Sequence, residues 1–285
     1  MNVSANGHAS AAPVPRVGHI GFLNSLPFLV GLEALPAPRP FELVQGRPTE
    51  LNRRLLEGSL DVSPISSIEY AAHAAELALL PGLCIASDGP VASVLLATRL
   101  PPERLDGRVV ALDPSSATSH VLVKLVLWER FGVRPRFETR RDSCLEGVSA
   151  EAALVIGDEA LRTWLAPNGW RLFDLGEEWK RLSGCRMVYA VWAARRQFAA
   201  EQPAQLEQVC QTLATALARG LADRDRLASR AAALSGHPAE VLRQYYRLLR
   251  YRLEAPEQAG LAEFYRRAAR QGLLPAAPAL AFAAA

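Results

Sequence analysis

The sequence predicts an α/β fold in two lobes with a ligand crevice between them. Three observations carry that expectation. Short apolar runs alternate with longer helical patterns from Val17 to Ala193, the rhythm of parallel strands joined by crossover helices. From Pro203 to Gly272 the pattern is wholly helical, broken at Gly220, Gly236-His237-Pro238 and Pro256. At 285 residues, half of them apolar, the chain is long enough for two lobes of roughly 100–200 residues each.

Taken in order, Val17 to Phe22 reads as a first buried strand, and Phe41 to Gln45 as a second. Between them, after the polar turn Asn24-Ser25, Leu26 to Leu35 reads as a short helix. Thr49 to Glu57 places Leu51, Leu55 and Leu56 on one helical face, with Gly58 as its stop. Leu60 to Ile65 is a short strand. Ser66-Ser67-Ile68-Glu69 then has the form of a capping box opening a helix to about Leu77. Cys84 to Ala86 and Ser93 to Thr98 read as strands around the turn Ser87-Asp88-Gly89-Pro90. Leu105-Asp106-Gly107 begins a new unit, with a strand at Arg108 to Leu112, a hydroxyl-rich turn at Ser115 to Ser119 and an apolar helix to Phe131. Val133 to Glu138 and Ala153 to Ile156 are strands, Asp174 to Leu182 a helix, and Met187 to Ala193 a strand. No internal repeat or low-complexity linker interrupts the pattern.

A unit entered at about residue 100 and left at about residue 194 divides the chain. Residues 15–99 and 195–275 are expected to form one lobe and residues 100–194 an inserted second. Residues 1–14 and 276–285 read as loose, flexible ends. The crevice is expected at the carboxyl ends of the strands of both lobes.

Composition excludes several classes. The net charge is only +3, and the basic residues are nearly all arginine, with Lys124 and Lys180 the two lysines. Arginines are scattered rather than concentrated, with a mild excess at Arg243, Arg247, Arg250 and Arg252. That is a solvated helical surface rather than a nucleic-acid face. No run approaches the roughly 18 apolar residues of a membrane span. The opening MNVSANGHASAAPVPRV has neither a basic start nor an apolar core, so it reads as no signal peptide. Cys84, Cys144, Cys185 and Cys210 are far apart and form no CxxC pair. Buried free thiols in a reducing compartment are expected, not zinc ligands or disulfides. The chain therefore reads as cytoplasmic.

Four polar turns follow predicted strands, where an open α/β sheet holds its ligand. The first carries Asn24, an amide donor and acceptor that also suits a turn before a helix. The second carries Ser66 and Ser67, which fit capping as well as contact. The third is the richest: Ser115, Ser116, Thr118 and Ser119 place hydroxyls in four of five positions at a helix start, a natural site for an anion. Such neutral donors suit a carboxylate bound without a salt bridge. The fourth is Gly157-Asp158, where glycine allows close backbone approach and Asp158 suits a cap on the next helix. The chain lacks G-x-G-x-x-G, a P-loop, H-E-x-x-H and G-x-S-x-G. His19 inside the first strand and His120 inside a helix read as packed histidines, and His73 and His237 as surface or turn positions. No nucleophile, metal or cofactor site stands out.

At these same turns the sequence resembles the chorismate dehydratases of the futalosine route to menaquinone. The matching stretches are Val17 to Pro27, Leu60 to Ser67, Ser93 to Leu96, Ser116-x-Thr118-Ser119, Ile156-Gly157-Asp158, Phe173 to Trp179 and Ala190 to Arg196. Together they span about residues 15–275. The resemblance implies a two-lobed periplasmic-binding-protein-like fold of type II, used as a cytoplasmic carbon–oxygen lyase without metal or organic cofactor. The implied substrate is a small dicarboxylate, chorismate, which loses water to give 3-[(1-carboxyvinyl)oxy]benzoate. It further implies that Asn24 positions the substrate and hydrogen-bonds the departing hydroxyl. Ser66, Ser67, Ser93, Ser115, Ser116, Thr118, Ser119, Gly157 and Asp158 are the expected substrate contacts. Two sources of the base stand open: the substrate's own enolpyruvyl carboxylate, or Asp158 or His19.

Other readings share the fold. A 1,4-dihydroxy-6-naphthoate synthase of the same pathway is expected to open on a Pro-Asn-Asp turn, where this chain has Leu-Asn-Ser-Leu-Pro. A non-catalytic carboxylate-binding protein is expected to carry an export signal. A ligand-sensing regulator is expected to carry a DNA-binding helix-turn-helix ahead of the first strand. The sequence says nothing of oligomeric state.

Overall fold

Two mixed sheets, each backed by helices, make the two lobes. The structure, a computed structural model, describes residues 13–140 and 145–284. The chain runs β1 (Arg16–Ile20), α1 (Leu26–Glu33), β2 (Glu42–Gly46), α2 (Pro48–Leu56), β3 (Val62–Ser66), α3 (Ser67–Ala72) and β4 (Leu77–Ser87) in lobe 1. It crosses to lobe 2 for β5 (Val94–Thr98), β6 (Val109–Leu112), α4 (Ala117–Leu125), β7 (Arg136–Thr139), β8 (Ala152–Ile156), α5 (Gly157–Leu165), β9 (Arg171–Asp174) and α6 (Leu175–Ser183). It returns through β10 (Met187–Arg195) and closes with α7 (Arg196–Glu201), α8 (Pro203–Ala222), α9 (Arg224–Ser235), α10 (Ala239–Leu248), β11 (Leu249–Arg250) and α11 (Ala255–Arg270). The strand orders are β11-β4-β10-β3-β1-β2 and β7-β6-β8-β5-β9.

The sheets are mixed, where uniformly parallel strands were expected. β1 pairs parallel with β2 and β3, and β6 with β7 and β8. β10 runs antiparallel to β3, and β5 antiparallel to β8. Direction of entry explains this. The carboxyl ends of β3 and β8 face the other lobe, so a strand arriving from that lobe enters at that end and must run backwards. The register shows it: Ala190 lies opposite Ser66, and Val94 opposite Ile156.

The same pairing moves the expected lobe boundaries. β5 belongs to the lobe 2 sheet and β10 to the lobe 1 sheet. The crossings therefore fall at residues 88–93 and 184–186 rather than near residues 100 and 194. The reason is that an apolar strand carries no mark of which sheet it joins.

Four further elements differ from the sequence reading. The helix expected to run to Leu77 stops at Ala72, and β4 takes up Leu77 onward as an eleven-residue strand rather than a three-residue one. Leu77 to Leu80 is fully buried, and a short apolar run buried on both faces has no period to separate helix from strand. β9 was unseen because its two apolar residues, Leu172 and Phe173, are adjacent and only half-buried, so neither an alternation nor a buried apolar run marks it. The C-terminal segment, expected to hang loose, is docked: Leu79 N–H donates to Ala281 O at 2.8 Å, Ala283 N–H returns to Leu79 O at 2.8 Å, and Ala281 N–H reaches the Tyr70 hydroxyl. β11 covers this edge of β4 only at Ala86 and Ser87, so the edge at Leu79 needs another partner. Residues 1–12 lie outside the described residues.

Helix α1 is seated by close approach. A Cβ on Gly31 would sit 1.7 Å from Ala216 O, and one on Gly220 1.8 Å from Pro27 O, so α1 and α8 touch backbone to backbone. Phe28 of α1 packs on Trp192 of β10, ring centroids 4.9 Å apart. This fixes the turn that precedes α1. Across the lobes, Arg267 and Gln271 at the end of α11 both donate to Glu129 of lobe 2. Among the described residues, no helix is long and apolar enough to cross a membrane. Cys84 is buried, but Cys185 and Cys210 are only half-buried, unlike the burial expected of all four; Cys144 lies outside the described residues.

Candidate active site

A cavity lies between the lobes, the place where a two-lobed α/β fold holds a small ligand. Lobe 1 contributes Phe22 and Asn24 from the turn after β1, Pro48 at the start of α2, Ser66 at the end of β3, and Tyr189 and Ala190 of β10. Lobe 2 contributes Ser93 and Val94 at the start of β5, Ser116 and Ser119 at the start of α4, and Gly157 at the start of α5. Apart from Tyr189 and Ala190, which lie within β10, these positions are at a strand's cleft end, in the turn after it or in a helix's first turn. That is where sheet geometry leaves side chains and backbone N–H groups unpaired.

Among the described residues, the wall contains no ionised side chain. Its polarity comes from neutral donors and from α2, α4 and α5, nine-residue helices whose first turns meet the cavity. Each helix presents the positive end of its dipole there, which favours an anion without a counter-charge. Gly157 has φ +62°, and its Cα faces the Phe22 ring: a Cβ would stand 3.4 Å from that ring. Glycine is required for the left-handed backbone, whereas the ring would leave a Cβ in ordinary van der Waals contact.

Asn24, Ser66, Ser93, Ser116, Ser119 and Gly157 are thus brought together around one cavity. The other expected contacts point elsewhere. Ser67 donates to Val188 O at 2.8 Å and meets the Thr118 hydroxyl at 3.3 Å; Thr118 also accepts from Ile68 N–H at 3.3 Å. Both are fully buried and join lobe 1 to lobe 2 instead of facing the cavity. Helical geometry is the cause: Ser116 and Ser119 are three apart and share a face, whereas Thr118 is turned away. Ser115 lies behind the wall, its N–H on Asp113 Oδ1 at 2.8 Å. Asp158 does not cap its own helix; it accepts Leu23 N–H across the cleft at 3.2 Å. The capping box at Ser66 is not formed either. Ser66 makes no side-chain cap, and its N–H goes to Asn52 Oδ1 at 3.1 Å. Of the hydroxyl-rich turn, one residue is a helix cap: Ser116 accepts from Ser119 N–H, while the two hydroxyls meet at 3.0 Å.

Two side chains weighed as proton acceptors both lie off the wall. Burial holds the His19 imidazole down at about 4 and leaves its Nδ1 without a partner. Burial pushes the Asp158 carboxyl above the ordinary range, opposed by the Leu23 N–H. A third carboxylate organises the crossing at residues 88–93. Asp174 accepts from Val91 N–H at 2.9 Å and Ala92 N–H at 2.7 Å with one oxygen, and from Gly176 and Glu177 N–H with the other. It holds Ala92 at φ +59°, a strained conformation for alanine, next to Ser93. Burial raises the Asp174 carboxyl, and the four N–H groups counter that rise.

Sequence reasoning missed Tyr189, Asn52 and Asp174's reach to the crossing. Tyr189 sits in an otherwise apolar strand, and a lone hydroxyl there was the available signal. Tyr189 meets the Ser87 hydroxyl at 3.0 Å, and Ser87 donates on to Gly89 O at 2.8 Å. Among the described residues, no group of three His, Cys, Asp or Glu side chains is placed to hold a metal ion.

The profile of a family described as menaquinone biosynthesis matches residues 15–270. A chorismate dehydratase of Thermus thermophilus is 36% identical over 241 residues, covering 79% of this chain and 85% of the relative. One of Campylobacter jejuni is 28% identical over 177 residues, covering 61% and 64%. Among solved structures, a protein from Archaeoglobus fulgidus superposes with TM-score 0.75 at 19% identity over 91% of this chain and 98% of that one. The periplasmic aliphatic sulphonate binding protein of Escherichia coli superposes with TM-score 0.66 at 19% identity over 93% and 90%. At such identities these likenesses show the fold, that of periplasmic binding proteins.

Proposed function

The chain belongs to the menaquinone biosynthesis family, and from that premise we propose that it is a chorismate dehydratase, a hydro-lyase that converts chorismate to 3-[(1-carboxyvinyl)oxy]benzoate. The observation that carries the reading is the cavity wall itself. Neutral hydroxyls, one carboxamide and three helix N-termini converge on a space that, among the described residues, has no fixed cation.

The chemistry asks for such a wall. Loss of the C3 proton and the C4 hydroxyl makes an aromatic ring, so the product supplies a large driving force. The C3 proton is acidified through the diene by the ring carboxylate, and negative charge spreads toward that carboxylate in the transition state. Preorganised donors stabilise the spreading charge. Ser116 and Ser119 at the start of α4 are the donors assigned to it. A full cation there would stabilise the bound carboxylate before reaction as well as during it, and only the difference accelerates the step. Asn24 donates a hydrogen bond from its amide N–H to the departing hydroxyl, which leaves as water once it has taken up the proton removed from C3. The base is the substrate's enolpyruvyl carboxylate, held against C3 by the cavity. The position of Asp158 and His19 off the wall supports this choice.

The same reading puts the enzyme in the cytoplasm, on the futalosine route, without metal or organic cofactor. The motif turns at Asn24, Ser66, Ser116 and Gly157 support it, because they resemble that branch of the family. Purified protein incubated with chorismate is expected to accumulate the aromatic enol ether, followed by mass and ultraviolet spectrum. Unchanged chorismate sinks the proposal. Exhaustive chelation is expected to leave turnover intact, and an activity lost to chelator and restored by a divalent ion sinks the cofactor-free claim.

A further inference from the structure

The backbone that carries Asn24 is held from far along the chain. The Tyr246 hydroxyl donates to Leu23 O at 3.0 Å, and the Tyr251 hydroxyl donates to Asn24 O at 2.9 Å. These two carbonyls belong to the two peptide planes that flank the Asn24 Cα. On the second of these planes, Ser25 N–H is also held by Phe22 O at 3.0 Å, and on the peptide before the first, Leu23 N–H is held by Asp158. With both flanking planes anchored, φ and ψ of Asn24 are set, and so is the direction of its Cα–Cβ bond into the cavity.

Both tyrosines are almost fully buried, at 4% and 5% exposure. Their rings are held by neighbours: Tyr246 lies against Tyr245, and Tyr251 meets Phe28 of α1 edge-on at 6.1 Å. Burial pushes both phenols well up, so each is a protonated donor across the working range of pH. The same short stretch reaches the opposite wall. Tyr245 donates to Ser93 Oγ at 3.1 Å, and Leu249 lines the cavity.

We propose that Tyr246 and Tyr251 are positioning residues for the dehydration, acting through Asn24, whose two flanking carbonyls they hold from α10 and from the residue that follows β11. The proposal rests on the reading of Asn24 as the donor to the departing hydroxyl. Such a donor works only when pre-aimed, and a misplacement of about 1 Å costs on the order of 100-fold in rate. Deleting one hydroxyl frees one carbonyl of a pair, so each single Tyr→Phe change is expected to cost roughly tenfold in kcat on that scale. The ring and its packing remain, and substrate affinity rests on other donors, so KM is expected to stay within about threefold.

The test is a double-mutant cycle with chorismate as substrate. Tyr246→Phe and Tyr251→Phe are each made in the parent and in Asn24→Ala, with folding checked by circular dichroism and melting. The expected result is a kcat loss in the parent that disappears in the Asn24→Ala background. Parental kcat in both Tyr→Phe variants, or an equal loss in both backgrounds, overturns the proposal and leaves a structural role alone. If the parent leaves chorismate unchanged, the dehydratase reading falls by itself. The side-chain amide NMR resonance of Asn24, assigned by its loss in Asn24→Ala, then decides the positioning claim. Tyr246→Phe and Tyr251→Phe are expected to shift or broaden it, whereas Tyr70→Phe, a buried tyrosine that serves the C-terminal segment, leaves it in place. An Asn24 resonance unmoved in both tyrosine variants overturns the proposal independently of activity.

Discussion

Truncating Asp174 to alanine removes the acceptor for four backbone N–H groups at once. Val91 and Ala92 are each 1% exposed, so their N–H groups are left buried without a partner, at about 1–3 kcal/mol each. The bonds to Gly176 and Glu177 are the N-cap of α6, worth about 1 kcal/mol. Against this, the variant no longer buries a carboxylate whose burial is already unfavourable, as its raised titration shows. The net loss is about 3–5 kcal/mol. Unfolding entropy near 2.1 cal/mol/K per residue gives about 0.6 kcal/mol per degree for a chain of 285 residues, so Tm is expected to fall by about 5–8 °C. Asp174→Asn keeps one side-chain acceptor oxygen and is expected to fall between parent and Asp174→Ala. Calorimetric melting of the three proteins, with a chorismate titration of each, is the assay. Because Ala92 is held at positive φ beside Ser93, the stability loss should come with weaker binding. An Asp174→Ala protein that melts within about 2 °C of the parent would refute the reasoning, since the two orphaned N–H groups alone exceed that.

The remaining expectations are quicker to state. Asn24→Asp keeps shape and turn preference but presents a carboxylate to a dicarboxylate substrate; kcat is expected to fall roughly 100-fold with the fold intact, and parental kinetics would remove Asn24 from the mechanism. Ser119→Ala is expected to weaken chorismate binding by about 0.5–1.5 kcal/mol at unchanged Tm, whereas Thr118→Ala, which orphans Ile68 N–H between the lobes, is expected to lower Tm first. The reverse pattern of binding and melting would reassign the two hydroxyls. His19 titrates near 6.5 unfolded and at about 4 folded, so between those values the unfolded chain binds the extra proton. Stability is therefore expected to fall as pH drops through that window, by about 3 kcal/mol in total, and to level off below it. Urea unfolding from pH 7 to 4 should show this slope in the parent and a flatter one in His19→Gln. Parallel curves would mean that His19 is not the source.

What the sequence by itself determined was local. Alternation and helical period place β1, β3, β6 and β8, and each is followed by a polar turn because a chain leaving a strand must satisfy its freed backbone groups. Those turns hold Asn24, Ser66, Ser116 and Gly157, so the polar side chains that line the cavity, Tyr189 apart, were expected before any fold was known, whereas its apolar lining was not. The i,i+3 spacing of Ser116 and Ser119 even contained the reason that Thr118 faces the other way. The tertiary structure alone decided which sheet β5 and β10 join, and hence where the chain crosses between lobes. An apolar strand looks the same in either sheet, and its direction follows from the end at which it enters. It alone paired Ser67 with Thr118, set Asp158 on Leu23 and Asp174 on Val91 and Ala92, and laid the C-terminal segment along β4. The tyrosines that hold Leu23 and Asn24 come from more than 220 residues away. Nothing in the chemistry of either segment names the other, because a buried hydroxyl needs only some acceptor, and the packing of α1 and α10 on the lobe 1 sheet supplies that one.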